Sequence, residues 1–210
     1  MKKPDIQKAY EILAETYPNT ETELTYKDCY QLLVAVVLSA QCTDARVNQT
    51  TPALFARYPD PQSMVKAKLS DIEKLIHSCG FFRAKAKAIQ SLSQDLIDRF
   101  GGKVPRTLEE LITLRGVGRK TASVILNQAF DIPAIAVDTH VARVSARLGW
   151  AKSKTPDKIE FELRDLFPPE NWGAINGMLI LHGRRLCKAR KPLCADCPVQ
   201  KHCQYFQKSH

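Results

Sequence analysis

The sequence predicts an all-α protein, and three observations carry that reading. Apolar residues recur at three- and four-residue spacing through most of the chain. The sequence shows no convincing alternation of apolar and polar residues, the mark of a half-buried strand. Capping residues and glycine or proline stops punctuate the helical stretches, and no internal repeat goes beyond helix pairs.

Taken in order, Ile6, Ala9, Tyr10, Leu13 and Tyr17 place an amphipathic helix near the start of the chain, ended near Pro18. Residues 19 to 27 read as a loop. Asp28 to Ala40 is apolar on every face; its β-branched bias permits a strand, but its length favours a buried helix at the centre of a lobe. Ser39-Ala40-Gln41-Cys42-Thr43-Asp44 is a polar break, with Thr43 or Asp44 capping the helix that follows. Ser70-Asp71-Ile72-Glu73 reads as a capping box opening a helix that ends near Cys79-Gly80. After Phe81-Phe82-Arg83, residues Ile89, Leu92, Leu96 and Phe100 face inward until Gly101-Gly102 stops the helix. Arg83, Lys85 and Lys87 crowd its start, where the helix dipole disfavours cations, so something other than local stability favours them there.

A second capping box, Thr107-Leu108-Glu109-Glu110, opens a short helix towards Leu114, and helical spacing resumes at Thr121, Val124, Ile125 and Ala129. Between them, Gly116 and Gly118 tolerate positive φ and let the backbone come close to a partner. The stretch Leu114-Arg115-Gly116-Val117-Gly118-Arg119-Lys120-Thr121-Ala122 is thus a helix-hairpin-helix, whose turn amides and second-helix dipole suit a phosphate, assisted by Arg119. An ordinary turn with basic decoration is the plainer reading of a lone Gly-x-Gly. Eighteen residues after Lys120 comes Asp138, within Val137-Asp138-Thr139-His140 and ahead of a helix that carries Val141, Val144 and Leu148 and ends at Gly149. Thr155-Pro156 reads as a cap followed by proline at the first helical position. Ile159, Leu163 and Leu166 mark that helix, Pro168-Pro169 breaks it, and a last long helix runs from about Asn171 to Arg185.

With 210 residues and 44% hydrophobic content, the chain buries a core as one domain or two small lobes. The longest strictly apolar run, Leu32 to Leu38, is too short to span a bilayer, and Met1-Lys2-Lys3-Pro4-Asp5 leads into no apolar signal region. A cytoplasmic location is expected. Lys plus Arg total 31 against 22 for Asp plus Glu, a formal +9 that favours a polyanionic partner, nucleic acid first. Charge alone weighs that reading evenly against a solvated basic surface.

The cysteines divide into two groups. Cys29, Cys42 and Cys79 are isolated and read as small buried apolar residues. Cys187, Cys194, Cys197 and Cys203 form C-x6-C-x2-C-x5-C within the last 24 residues, a stretch too short and too polar for a core of its own. Four thiolates closing around a metal centre supply the missing folding energy, whereas disulfides are disfavoured in a cytoplasmic chain. Spacing alone leaves tetrahedral zinc and an iron–sulfur cluster both open.

In this order, Leu38-Ser39-Ala40-Gln41, the hairpin Leu114 to Ala122, Val137-Asp138-Thr139-His140-Val141 and the four-cysteine tail resemble the endonuclease III family. Its members are bacterial DNA glycosylases and AP lyases of the helix-hairpin-helix superfamily, and the resemblance covers essentially the whole chain. It implies two helical lobes with a DNA-binding cleft between them, one of residues 22 to 132 with the hairpin, the other joining residues 1 to 21 to residues 133 to 210. It implies a [4Fe-4S] cluster held by Cys187, Cys194, Cys197 and Cys203, structural or redox-responsive in role. Arg184, Arg185, Lys188, Arg190 and Lys191 then lie on a loop facing the DNA backbone. The implied substrate is duplex DNA with an oxidised or ring-damaged pyrimidine or an abasic site, and the expected location is bacterial cytoplasm at the nucleoid; a monomer is the default expectation.

Removing a base while cutting the strand needs an amine that attacks the sugar C1′, forms a Schiff base and permits β-elimination. Lys120 matches the family's lysine. A lysine at its ordinary pKa of ~10.4 is free amine in only one molecule in a few thousand at pH 7, so such a nucleophile needs a neighbouring cation, here Arg119, or burial. Asp138 matches the family's aspartate, which stabilises oxocarbenium charge and assists proton transfers. Alone, Asp138 reads as a helix cap and Lys120 as a phosphate contact. Gln41 matches a glutamine that fills the gap left by a flipped nucleotide. Phe81 stands where the family has an aliphatic wedge, and Arg115 where its hairpin has proline, so Arg115 joins Gly116, Val117, Gly118 and Arg119 at the phosphate site. His140 and His182 read as packed or hydrogen-bonded histidines. Two rivals are a monofunctional adenine glycosylase, disfavoured by Lys120, and a non-catalytic DNA-binding redox sensor, disfavoured by the Lys120 and Asp138 pair.

Overall fold

The computed structural model describes residues 5–209. The Met1-Lys2-Lys3-Pro4 start, read above for a signal region, and His210 lie outside the described residues. The helices are, in chain order, α1 (Ile6–Thr16), α2 (Cys29–Ser39), α3 (Asp44–Arg57), α4 (Pro61–Lys66), α5 (Leu69–Leu75), α6 (Phe82–Phe100), α7 (Leu108–Leu111), α8 (Arg119–Phe130), α9 (Thr139–Leu148), α10 (Pro156–Leu166), α11 (Trp172–Arg185) and α12 (Gln204–Ser209). No strand occurs among the described residues, so the all-α class holds. None of these helices is long and apolar enough to cross a membrane.

The chain divides into two compact units, Glu23–Ile132 on one side and Met1–Thr22 with Pro133–His210 on the other. In the continuous unit, every residue of α2 from Tyr30 to Leu38 is buried. A helix apolar all round needs neighbours on all faces, and α3, α6 and α8 supply them. Asp28 starts α2 by accepting the Gln31 amide at 2.8 Å, and Thr43 starts α3 by accepting that of Arg46 at 3.3 Å. Tyr30 satisfies its buried hydroxyl on Ser93 at 2.8 Å.

Three expectations for this unit need correction. The Ser70 box does not form: Leu69 is already helical, Lys68 holds the cap position without a side-chain bond, and the helix finishes at Leu75, before Cys79. Ser70 therefore sits one residue too deep to cap. A helix absent from the periodicity, α4, is started by Asp60, which accepts the Ser63 amide at 2.7 Å with Pro61 next to it. Among the isolated cysteines only Cys79 is fully buried; Cys29 and Cys42 are half-buried.

The discontinuous unit is centred on α11, with α1 and α9 packed against it. Its core joins Ala9 and Leu13 of α1 to Val141, Val144 and Leu148 of α9, Leu163 of α10, and Ile175, Met178 and Leu179 of α11. Gly177 of α11 lets the loop after α1 lie against the helix, since a Cβ there would stand 2.5 Å from the Thr20 carbonyl oxygen. Thr155 precedes Pro156 as expected but makes no side-chain cap bond. The short α12 follows Val199 and Cys203, whose side chains are buried in the same core.

Candidate active site and metal centre

The hairpin forms with Arg115 in it. Leu114 and Val117 are buried, and the Val117 amide donates to the Leu114 carbonyl at 3.1 Å, closing the turn between them. Gly116 takes φ +82° between these anchors, and a Cβ there would meet Ala88 Cβ at 3.0 Å. This position combines the left-handed conformation with close packing, and both favour glycine. Gly118 is different: its φ is −91°, it is the N-cap of α8 and it offers no side chain to the first-turn amides. The positive end of α8 therefore has no side-chain cap. Arg115 is exposed, Arg119 is half-buried, and Lys120 is exposed on the first turn of α8.

Gln41 and Phe81 share a backbone state. Both are exposed, and both take left-handed φ, +53° and +58°, unusual for residues with a Cβ. Phe81 is 67% exposed, so its ring is not part of the core. Their loops touch, because a Cβ on Gly80 would lie 3.5 Å from the Gln41 carbonyl oxygen.

Asp138 belongs to the other unit. One of its carboxylate oxygens accepts the amides of His140 and Val141, both at 2.8 Å, which makes it a full N-cap of α9. The residue is half-buried. His140 Nδ1 accepts from Arg143 at 3.1 Å, while Arg143 also donates to the Gly183 carbonyl at 3.0 Å and the Cys187 carbonyl at 3.1 Å. Burial holds His140 below the usual imidazole range, with Asp138 working against it. Arg143 was not legible as a site residue; its only signal is a basic residue one turn into the helix that Asp138 caps.

The four tail cysteines are free and line one pocket, walled by Val144, Leu148 and Leu186 and closed by His182. His182 is buried; its Nδ1 lies 3.1 Å from the Tyr17 hydroxyl and its Nε2 3.6 Å from the Cys197 sulfur. Burial lowers its pKa to about 4, which keeps the ring neutral. Burial, with smaller help from Cys203, Cys187 and Cys194 and against a hydrogen bond from the Val199 backbone, pushes the Cys197 thiol up to about 11. Four thiols facing one dry space suit a group that takes them as thiolates. A pocket lined by all four cysteines fits a centre held by four thiolates. Arg184 and Lys191 are exposed beside this loop, Lys191 with φ +52°.

Comparison with known proteins agrees with this geometry. The HhH-GPD superfamily of base excision DNA repair proteins matches residues 34–169, and the iron-sulfur binding domain of endonuclease III matches residues 187–203. Endonuclease III of Synechocystis is 50% identical over 199 residues, 94% of this chain and 91% of the relative. That of Rickettsia conorii is 46% identical over 201 residues, 96% of each chain. A solved trapped covalent intermediate of endonuclease III with DNA is 42% identical and superposes with a TM-score of 0.93, over 100% of this chain and 99% of that one.

An all-α chain with a helix-hairpin-helix and a four-cysteine pocket is, on these grounds, a base-excision DNA repair protein. Within that class it belongs to the endonuclease III family, DNA glycosylases with AP lyase activity that carry a [4Fe-4S] cluster.

Proposed function

We propose that this protein binds duplex DNA as a monomer at the bacterial nucleoid, removes oxidised or ring-damaged pyrimidines and cleaves the resulting abasic site through a lysine Schiff base. The observation that carries the reading is the exposed Lys120 at the uncapped start of α8, directly after the hairpin turn. A neighbouring fold captured as a covalent intermediate with DNA supports an enzyme nucleophile of this kind.

In this mechanism the hairpin amides, with Arg115 and Arg119, hold a phosphate, and Arg184 and Lys191 contact the backbone elsewhere. Gln41 and Phe81 enter the space left by the flipped nucleotide. The free amine of Lys120 attacks C1′ as the bond from C1′ to the base nitrogen breaks, and the base leaves with a proton. The sugar ring then opens, O4′ taking a proton and the nitrogen becoming an iminium. Loss of a C2′ proton expels the 3′ phosphate, and water releases Lys120 from the imine. Asp138 stabilises the positive charge that develops on the sugar and assists the proton transfers.

Cys187, Cys194, Cys197 and Cys203 are the residues that would hold the [4Fe-4S] cluster. When bound, it supplies four cross-links within a tail that has little core, and no step above uses it.

Borohydride trapping tests this reading. The protein is incubated with a duplex containing one oxidised pyrimidine, with reductant, beside Lys120→Gln. A covalent band that needs the lysine, together with DNA binding kept by Lys120→Gln, is the expected result. Binding lost in step with cleavage would leave Lys120 as a phosphate contact.

A further inference from the structure

Lys85 lies on the first turn of α6, where a cation opposes the helix dipole, and it is only 7% exposed. A buried ammonium is unfavourable unless a partner holds it. Here the Lys85 Nζ donates to the Leu38 carbonyl at 2.8 Å. Leu38 is in the last turn of α2, whose final carbonyls have no acceptor role left within the helix and whose own last turn contains no basic residue. Lys85 thus supplies, from another helix, the cation that this end lacks. Burial pulls its ammonium below the ordinary lysine range, and the thiols of Cys42 and Cys79 work against that pull.

The two points joined by this bond flank the two exposed left-handed residues. Gln41 follows Leu38 by three positions, and Phe81, whose carbonyl accepts the Lys85 amide at 3.1 Å, precedes Lys85 by four. Left-handed backbone at a residue with a Cβ is strained and persists where the surroundings over-determine it. Cys79, next to Gly80, feels the charge of the Cys42 thiol, and a Cβ on Gly80 would lie 3.5 Å from the Gln41 carbonyl oxygen. Residues 38–42 and 79–85 are one assembly with Lys85 through its middle.

We infer that Lys85 is a positioning residue for base extrusion: by bonding the Leu38 carbonyl from the turn that begins at Phe81, it holds the Gln41 and Phe81 loops as one rigid piece that enters the duplex together. This inference rests on the gap-filling reading of Gln41 and Phe81. Neither residue reaches its partner's place in the helix stack correctly if the two loops move independently, so the loss falls on opening a paired site and not on the later chemistry.

The experiment uses the full-length, cluster-loaded protein with Lys85→Met, Gln41→Ala and Phe81→Ala. Excision is measured on two duplexes, one with an oxidised pyrimidine paired to a purine, the other with the same lesion opposite an abasic site. A 2-aminopurine next to the lesion reports unstacking. Lys85→Met is expected to slow excision of the paired lesion by about 10- to 100-fold and to suppress the fluorescence rise, with the unpaired lesion within about threefold of the parent. If Gln41→Ala and Phe81→Ala both leave the paired-to-unpaired ratio unchanged, the gap-filling reading falls and the role of Lys85 with it. If they change it and Lys85→Met does not, the positioning role alone is overturned. Equal losses on both duplexes would make Lys85 a merely structural residue, again overturning the role. Should Lys85→Met fold too poorly to assay, Lys85→Gln keeps an N–H donor, and a loss confined to the paired duplex is expected of it; an equal loss on both counts against the role.

Discussion

Arg147 donates from its Nη1 to the Cys187 sulfur at 3.3 Å. The same guanidinium donates to the Lys188 carbonyl at 2.7 Å and the Ala189 carbonyl at 3.0 Å, and it stacks on Tyr205. One side chain of α9 therefore holds the loop that starts the cysteine pocket. Replacing it by Leu removes three acceptors' partner at once, and hydrogen bonds to a charged donor contribute about 1.5–3 kcal/mol each before neighbours compensate. Arg147→Leu is expected to lower the melting temperature by several degrees and to speed loss of visible absorption in air, followed by spectrophotometry.

Asp138 separates its two roles through two substitutions. Asparagine is as good an N-cap as aspartate, whereas alanine costs about 1 kcal/mol. Asp138→Asn should therefore keep the denaturation midpoint near that of the parent while lowering excision by at least about 100-fold, and Asp138→Ala should lose both. A fully active Asp138→Asn protein would reduce the residue to a cap.

Gly116 and Gly118 are expected to respond in opposite ways. Gly116→Ala meets a left-handed φ and a contact at 3.0 Å, so urea denaturation should show a loss of about 1–3 kcal/mol. Gly118→Ser meets open space at an extended N-cap. A serine hydroxyl there caps the first turn of α8, adding up to about 1 kcal/mol of stability while competing with phosphate for its amides. The expected variant is more stable and binds DNA more weakly, measured by titration of a labelled duplex.

Each of the four tail cysteines changed to serine should give a protein without brown colour. Val199 and Cys203 are buried in the core of their unit, so loss of the cluster is expected to lower the stability of that unit as well as to loosen the tail. Iron content and melting temperature, measured on the same preparation, check this.

Much of the fold was legible where one residue does one local job. Asp28, Thr43 and Asp138 announce helix starts because their side chains accept amides two or three positions on. Ser70 misled because an equally good pattern begins one residue after the chain has turned helical, and tertiary packing sets that start. The six residues of α4 are too few for periodicity, although Asp60-Pro61 carried the signal. In the candidate site, the hairpin and the four cysteines are contiguous and could be read directly. The bond between Lys85 and Leu38 spans 47 positions, and only the odd placement of cations at the start of α6 hinted at it. The left-handed states of Gln41 and Phe81 run against local preference, so no local rule finds them.

The discontinuous unit has a consequence for how the chain is born. Residues 23–132 are complete as soon as they leave the ribosome, but Ala9, Leu13 and Tyr17 must wait for Ile175, Met178 and Leu179 before their apolar faces are covered. At ordinary synthesis rates that wait is on the order of ten seconds. During it the apolar face of α1 stays uncovered, and Cys203, which enters the same core, is made later still. A cluster held by Cys187, Cys194, Cys197 and Cys203 can therefore close only after Val141, Val144 and Ile175 of the same core have been made.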